Sequence, residues 1–298
     1  MPNHPFQRLA QHLFPGGELL RAWPLSGGVS AQVQALEVRS AAGQVERVVV
    51  RQYGAANLAG NPDSAADEFR LLAVLRSAGL AVPTPLWFDQ TGELFARPTL
   101  VTAYIDGQPD LDPAERSNGL RQLADHLSQL HAVPWTNHGV PFLRNGPALR
   151  PRPAAPDHSL SEARIRAALE PIWPLPPSHP PAILHGDFWP GNVLWRAGRL
   201  AAVVDWEDAA LGDPLADLGN ARLELLWAFG LAAMDDFTRH YQAGSDLDFS
   251  HLPYWDLYAA LRPAGRLGSW GLDGQTEQTM RARHRQFVDA ALAQLSRL

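Results

Sequence analysis

Hydrophobic and polar positions change period along the chain, and period is the strongest local indicator of element type. Residues 31–38 and 47–53 are valine-rich with partial alternation, the pattern of half-buried strands, and Ser40-Ala41-Ala42-Gly43 between them reads as a hairpin turn. The two runs are expected to pair antiparallel. Upstream, residues 26–30 link the stretch 20–25 to the first of these strands, and Gly27-Gly28 within that link reads by itself as a turn. Over 63–78 the period becomes helical, with Asp63 or Ser64 as N-cap and Phe69, Leu71, Leu72 and Leu75 forming the apolar face. Glu68 shares that face. Either it is buried and needs a cation, for which Arg51 on the same strand face as Val49 is the candidate, or it sits at the edge of the stripe and reaches water.

Two further strands are predicted at 82–88 and 100–105. Beyond them the character is helical: Leu120, Leu123, Leu127 and Leu130 mark one long amphipathic helix that ends at His131-Ala132-Val133-Pro134. Residues 141–181 are proline-rich with a helical patch at 161–169, which predicts a surface excursion over the helical part. The tail predicts helices near 214–229, 233–243 and, with breaks, 252–297. No internal repeat or low-complexity segment interrupts this order.

Composition narrows the function. The 298 residues are 46% hydrophobic and 9% aromatic, enough for one large core or two unequal lobes. A net charge of -6 without any basic run argues against a nucleic-acid surface and points to a small-molecule partner. No apolar run is long enough to span a bilayer, and the start MPNHPFQRLA lacks the cationic-then-apolar order of a signal peptide, so no membrane association and a cytoplasmic location are the expectation. Cysteine is absent, which excludes disulfides and thiolate metal sites. All 25 positively charged Lys/Arg positions are arginine, which excludes P-loop, Schiff-base and Ser-x-x-Lys chemistry, since each needs an ammonium.

The densest chemistry lies at 185–192, where the polar, turn-prone HGDFWPGN is wedged between Ala182-Ile183-Leu184 and Val193-Leu194-Trp195. Pro190-Gly191 enforces a turn that can fold Asn192 back beside Asp187. A second apolar strand, 200–204, ends at Asp205. If the strands flanking the octet pair with each other, Asp187, Asn192 and Asp205 converge. Two carboxylates and an amide suit a hard, partly hydrated cation such as Mg2+, and a carboxylate beside it can take a proton from an attacking hydroxyl. Those are the requirements of phosphoryl transfer.

HGDFWPGNVLW followed by VVDWEDAALGDPLADLG resembles the aminoglycoside phosphotransferase and choline kinase family, the small-molecule branch of the protein-kinase-like fold, and the order of the other elements agrees across nearly the whole chain. The resemblance implies an α+β, two-lobed protein-kinase-like fold: a small antiparallel β-sheet N-lobe with one main helix, and a larger, mainly helical C-lobe. Its implied boundaries are 1–100 for a nucleotide-binding lobe, 101–106 for a hinge and 107–298 for a catalytic and substrate-binding lobe. It implies transfer of the γ-phosphoryl group of ATP or GTP to a hydroxyl of a small molecule, with Mg2+ as cofactor. In that frame Asp187 is the base, and Asn192 and Asp205 are the metal ligands. Arg51 is the phosphate-binding cation paired with Glu68, and Gly27 and Gly28 form the glycine turn. Backbone groups at Thr102 to Tyr104 meet the adenine edge, with Val49 against its face. Asp217 braces the catalytic loop, a role that competes with a simple helix N-terminal charge. The expected assembly is a monomer or weak dimer.

One departure stands out, because the family pattern has lysine where this chain has Arg51. Arginine keeps the charge but is longer and planar, so the exchange is not neutral at a tight site. Two outcomes follow: an enzyme that uses Arg51, or a non-catalytic nucleotide-binding module. A metal-dependent phosphoesterase is a minor alternative, disfavoured because His240, His251 and His284 are widely spaced. For the acceptor, acids on the distal helices (Asp235, Asp236, Asp246, Asp248, Asp256) suit an amino sugar, whereas aromatics (Trp227, Tyr241, Tyr254, Trp255, Tyr258, Trp270) suit an amino alcohol or a sugar face. Ketosamines and antibiotics belong to the same range of acceptors.

Overall fold

The structure is a computed structural model that describes residues 4–25, 31–137, 140 and 142–297; Gly27 and Gly28 lie outside the described residues. The chain divides into two compact units, Met1–Gly107 with Ala201–Glu207, and Gln108–Leu200 with Asp208–Leu298.

The first unit is built on alternation. Helix α1 (Pro5–Leu13) precedes β1 (Glu18–Pro24), β2 (Ala31–Arg39) and β3 (Val45–Tyr53); α2 (Ala55–Gly60), α3 (Ser64–Ser77), β4 (Pro85–Asp89) and β5 (Thr99–Ala103) follow. The strands form one antiparallel sheet in the order β1-β2-β3-β5-β4. Successive side chains of a strand point to opposite faces. Val48 and Val50 accordingly pack with Leu36, Val38 and Val101 against Phe6, Leu9 and Ala10 of α1. Val49, Arg51 and Tyr53 face the other way, toward the side on which Glu68 of α3 meets Tyr53. The hairpin, the main helix α3 and both later strands appear where the periodicity predicts them. Helices α1 and α2 are not anticipated in the sequence. The first is started by local chemistry, with Pro5 at its first turn and His4 Nδ1 accepting from the Phe6 N–H at 3.3 Å.

The second unit is helical. Its elements are α4 (Arg116–His131), β6 (Arg144–Asn145), α5 (Glu162–Leu169), β7 (Ala182–Leu184), β8 (Val193–Arg196), β9 (Arg199–Val203), β10 (Ala210–Gly212), α6 (Leu215–Phe229), α7 (Leu231–Ala243), α8 (Leu252–Leu261) and α9 (Gly274–Leu295); β9 runs on into the first unit. A hydrophobic core there joins Leu223, Leu226 and Trp227 of α6 with Leu257 and Leu261 of α8, Phe287 and Val288 of α9, and Ile165 and Leu169 of α5. The proline-rich 141–181 is thus more than a surface excursion, because its helix contributes to this core. Helix α6 is buried nearly all round, and its polar residues Asp217, Asn220 and Arg222 are each hydrogen-bonded. That is the condition for carrying polar groups inside.

One expectation is corrected. The strands flanking the octet do not pair with each other: β7 pairs antiparallel with β10, and β8 pairs with β9. The inner strand β5, bonded on both sides, belongs to the first unit, which runs to Gly107 and includes Ala201–Glu207.

Candidate active site

In the second unit the octet is held from behind. Asp217, 1% exposed, accepts hydrogen bonds from the backbone N–H groups of His185 at 2.6 Å and Gly186 at 2.9 Å. His131 Nε2 lies 3.4 Å from the same carboxylate, and its Nδ1 is 2.6 Å from Tyr241 Oη. Burial works to raise the Asp217 pKa, but His131, the charge of His185 and the backbone donors overcome it and hold the group below the usual carboxylate range. Gly186 makes this turn possible: its φ is +81°, and a Cβ there would meet the Asp208 carbonyl oxygen at 2.2 Å. Phe188 anchors the loop into the core, stacked on His126 with ring centroids 6.3 Å apart.

The anchoring leaves Asp187 exposed enough to meet a substrate, its side chain 38% accessible. The turn over Pro190–Asn192 returns the chain, and Asn192 Nδ2 donates to the Asp187 carbonyl at 3.0 Å and to its Oδ2 at 3.4 Å. The Asp187–Asn192 juxtaposition read from the octet is therefore formed. On the other carboxylate oxygen, Arg262 Nη2 lies 3.3 Å from Asp187 Oδ1. Arg262 Nη1 in turn donates to Asn220 Oδ1, and Asn220 Nδ2 donates to the Phe188 carbonyl at 3.3 Å.

The first unit carries the other predicted group. Arg51 Nη1 is 2.7 Å from Asp205 Oδ1, and Arg51 Nη2 is 2.5 Å from Glu207 Oε2, which also accepts from Asn57 Nδ2 at 2.8 Å. The Arg51–Asp205 approach is an ion pair without hydrogen-bond alignment, so Asp205 Oδ1 and Arg51 Nε are both buried with no hydrogen-bond partner. Asp205 adopts φ +67°, a left-handed conformation uncommon outside glycine. The adjacent Trp206 fastens the turn, its indole N–H donating to the Val203 carbonyl at 3.0 Å. Glu68 takes the buried alternative, 8% exposed, but its partner differs from the one expected: Tyr53 Oη donates to it at 2.7 Å. Arg51 makes its ion pairs with Asp205 and Glu207, its planar fork spanning both carboxylates, and Glu68 remains the leading opposite charge acting on it. Burial raises the Glu68 pKa against the Arg51 charge. The Arg51 pKa is raised as well: its own desolvation works against this, but the charges of Glu68, Asp205 and Glu207 outweigh it and keep the guanidinium protonated.

Val49 and Thr102 stand directly opposite each other on β3 and β5. The Tyr104 N–H donates to the Arg47 carbonyl at 3.1 Å, which commits that donor to the sheet, and the Arg47 guanidinium lies over the Tyr104 ring at 4.8 Å. Sequence reasoning missed Glu207 and Arg262 as site residues. The pair of carboxylates Asp205-x-Glu207 just past an apolar strand was a usable cue for the first. Nothing local marked Arg262, whose relevance comes from a contact 75 positions away.

Among the described residues no cluster of three or more His, Cys, Asp or Glu side chains is arranged to hold a metal ion, and no helix is long and apolar enough to cross a membrane.

The fold and sequence have known counterparts. The chain matches acyl-CoA dehydrogenase family member 11 of Gallus gallus at 29% identity over 182 residues, 55% of this chain and 23% of that protein. It matches homoserine kinase of Pseudomonas aeruginosa at 31% identity over 163 residues, 50% of this chain and 49% of that protein. It spans less than a third of the acyl-CoA dehydrogenase family members it matches, 23% and 29% in two of them. A thermostable mutant of aminoglycoside phosphotransferase APH(4)-Ia, solved with AMP-PNP and hygromycin B, shares the fold at a TM-score of 0.60 and 19% identity, covering 95% of this chain and 98% of that one. A model of the phosphotransferase enzyme family matches residues 22–263, well over half of the length, and the chain belongs to that family.

Proposed function

We propose that the chain transfers the γ-phosphoryl group of ATP or GTP to a hydroxyl of a small molecule, with Asp187 as the base. The observation that carries this reading is the octet: an accessible carboxylate on a loop whose backbone is clamped by Asp217 and whose return limb places Asn192 beside it. Phosphoryl transfer asks for positioning and charge neutralisation more than for covalent chemistry, and a clamped loop supplies the first. Asp187 accepts the proton of the acceptor hydroxyl, while Arg262 and Asn192 hold the two ends of its carboxylate.

Mg2+ is the cofactor this reading asks for, with Asp205 of the first unit and Asn192 of the second as its expected ligands. Each side chain carries a hard oxygen of the kind such an ion prefers, Asp205 in its carboxylate and Asn192 in the Oδ1 left after its Nδ2 donates to Asp187. When bound, Mg2+ would neutralise phosphate charge. Arg51 supplies a fixed positive charge for phosphate oxygens, and Glu207 and Asp205 keep it extended until they are exchanged for the nucleotide. Nucleotide use is supported by AMP-PNP bound to the neighbour of the same fold.

The test is transfer from γ-labelled ATP to a panel of hydroxyl acceptors, comparing wild type with Asp187→Asn. Loss of the base lowers turnover by about 100-fold to 10,000-fold while nucleotide binding survives. Identical behaviour of the two proteins across the panel would establish the non-catalytic binding module instead.

A further inference from the structure

Phe188 and Trp189 are neighbours on the loop that bears Asp187, and the fold treats them in opposite ways. Phe188 is 2% exposed, and Trp189 is 40% exposed. A single exposed aromatic is ordinary on a protein surface, but this one is neither loose nor covered. Its backbone is extended, with φ -146° and ψ 162°, and its carbonyl accepts from the Asn192 N–H at 3.0 Å. Asn192 Nδ2 meanwhile donates to the Asp187 carbonyl at 3.0 Å, so one residue fixes both ends of the stretch 187–189.

The indole has a place of its own. Gly191 lies outside the left-handed region, so its backbone does not require glycine. A Cβ there would nevertheless run into Cη2, Cζ2 and Cζ3 of Trp189. Glycine at 191 therefore makes room for the six-membered part of the indole, which rests against the turn. Among the described residues no other aromatic ring contacts this indole and no group takes its N–H. A ring that is held in place and left open lies where a ligand can cover it.

The position says which ligand. Cα atoms two residues apart are separated by about 7 Å at most, a span that one six-membered ring with its hydroxyl bridges. The accessible Asp187 carboxylate takes the proton of the acceptor hydroxyl in the reading above, which puts the acceptor within reach of the indole. The nucleotide's own ring is out of reach, because ribose and triphosphate separate it from the phosphorus that must arrive at that hydroxyl. An acyclic acceptor would leave the indole bare, whereas a ring packs on it through a C–H or π face, to which the negative face of an aromatic system is suited.

We propose that Trp189 is the acceptor platform and that the acceptor is a ring-bearing alcohol, its ring packed on the indole and its hydroxyl on Asp187. This rests on the phosphotransferase reading above and deepens it, separating ring-bearing alcohols from acyclic amino alcohols and hydroxy amino acids. Saturated and aromatic rings share the chemistry, and the experiment tells them apart.

The experiment measures kcat/KM with Mg-ATP for myo-inositol, glucose and glucosamine as saturated rings, benzyl alcohol and pyridoxine as aromatic ones, and glycerol, ethanolamine, choline and homoserine as acyclic acceptors. Rings exceed acyclic acceptors in the wild type. Trp189→Leu lowers kcat/KM for the preferred ring by about 5-fold to 50-fold, the size of an aromatic contact and the area it buries, and leaves acyclic acceptors within about 2-fold. Trp189→Phe keeps most of the preference. Gly191→Ala, which displaces the indole without altering it, reproduces Trp189→Leu, and Leu231→Ala, at an exposed apolar position of α7, changes nothing. Binding without turnover is read from tryptophan emission: the preferred ring changes the emission of the wild type and not that of Trp189→Phe. A preference for acyclic acceptors, an unchanged ring preference in Trp189→Leu, or an effect of that variant on the KM for ATP alone overturns the platform and leaves the phosphotransferase standing. Absence of transfer to every acceptor, with Asp187→Asn equal to wild type, overturns the phosphotransferase; emission then decides the platform by itself, and a wild-type signal that no ring alters overturns both.

Discussion

Removing Asp217 tests how the loop that bears Asp187 is held. Its carboxylate, 1% exposed, accepts from two backbone N–H groups at 2.6 and 2.9 Å. A hydrogen bond to a charged group contributes about 1.5–3 kcal/mol, and an abandoned buried donor costs its full desolvation penalty. Asp217→Ala leaves both N–H groups without an acceptor, so the expected loss is about 3–6 kcal/mol, a large part of the roughly 5–15 kcal/mol typical of a folded protein. Asp217→Asn keeps the volume and one acceptor oxygen but turns an NH2 toward the second donor, and should lose about half as much. Equilibrium urea unfolding followed by far-UV circular dichroism measures both. The pH dependence has a definite sign. Because the folded pKa lies below the unfolded value, the stabilisation is fully present above about 3.9 and is lost as pH falls through the lower folded pKa. Wild type must therefore lose stability more steeply on acidification than Asp217→Asn. The reasoning fails if Asp217→Ala stays within about 1 kcal/mol of wild type, or if the two variants cost the same.

Two further outcomes follow from the same region. Gly186→Ala forces an L-residue to φ +81° with its Cβ 2.2 Å from the Asp208 carbonyl oxygen, so it should destabilise by more than the roughly 1–2 kcal/mol of left-handed strain alone. Urea unfolding checks it, and a loss below that range would mean the loop relaxes. Glu224, raised to about 8 chiefly by burial, keeps the folded state more protonated than the unfolded one, so its contribution is present below the unfolded value of about 4.3 and fades as pH rises through about 8. Glu224→Gln should flatten the decline of Tm between about pH 4.3 and 8; equal slopes in the two proteins would assign the decline elsewhere.

The octet was legible because its parts are local. Pro190-Gly191 sets a turn whatever surrounds it, and a turn of that length can only bring Asn192 back beside Asp187. The helices α3, α4 and α6 were legible because a buried face writes its period into the chain. Helix α1 was missed because its apolar residues are few and its start depends on a His4 cap, a weak cue. Pairing of the flanking strands was misjudged because three- and four-residue strands carry no register information, and β10, lying beyond Asp205, took the partner's place beside β7.

The sequence by itself determined the family, the two-part organisation and the identity of the loop that bears Asp187. Those follow from residue order and spacing along one backbone. Only the tertiary structure decided which charges meet. Arg51 pairs with Asp205 and Glu207 as well as feeling the charge of Glu68, Glu68 accepts from Tyr53, and Arg262 arrives at Asp187 with Arg150 behind it. Such pairings join residues up to 156 positions apart, and they depend on side-chain length and on which neighbours burial leaves available. Neither quantity is written in the spacing, so the turn of the loop was readable before folding and the pairing of the charges around it was not.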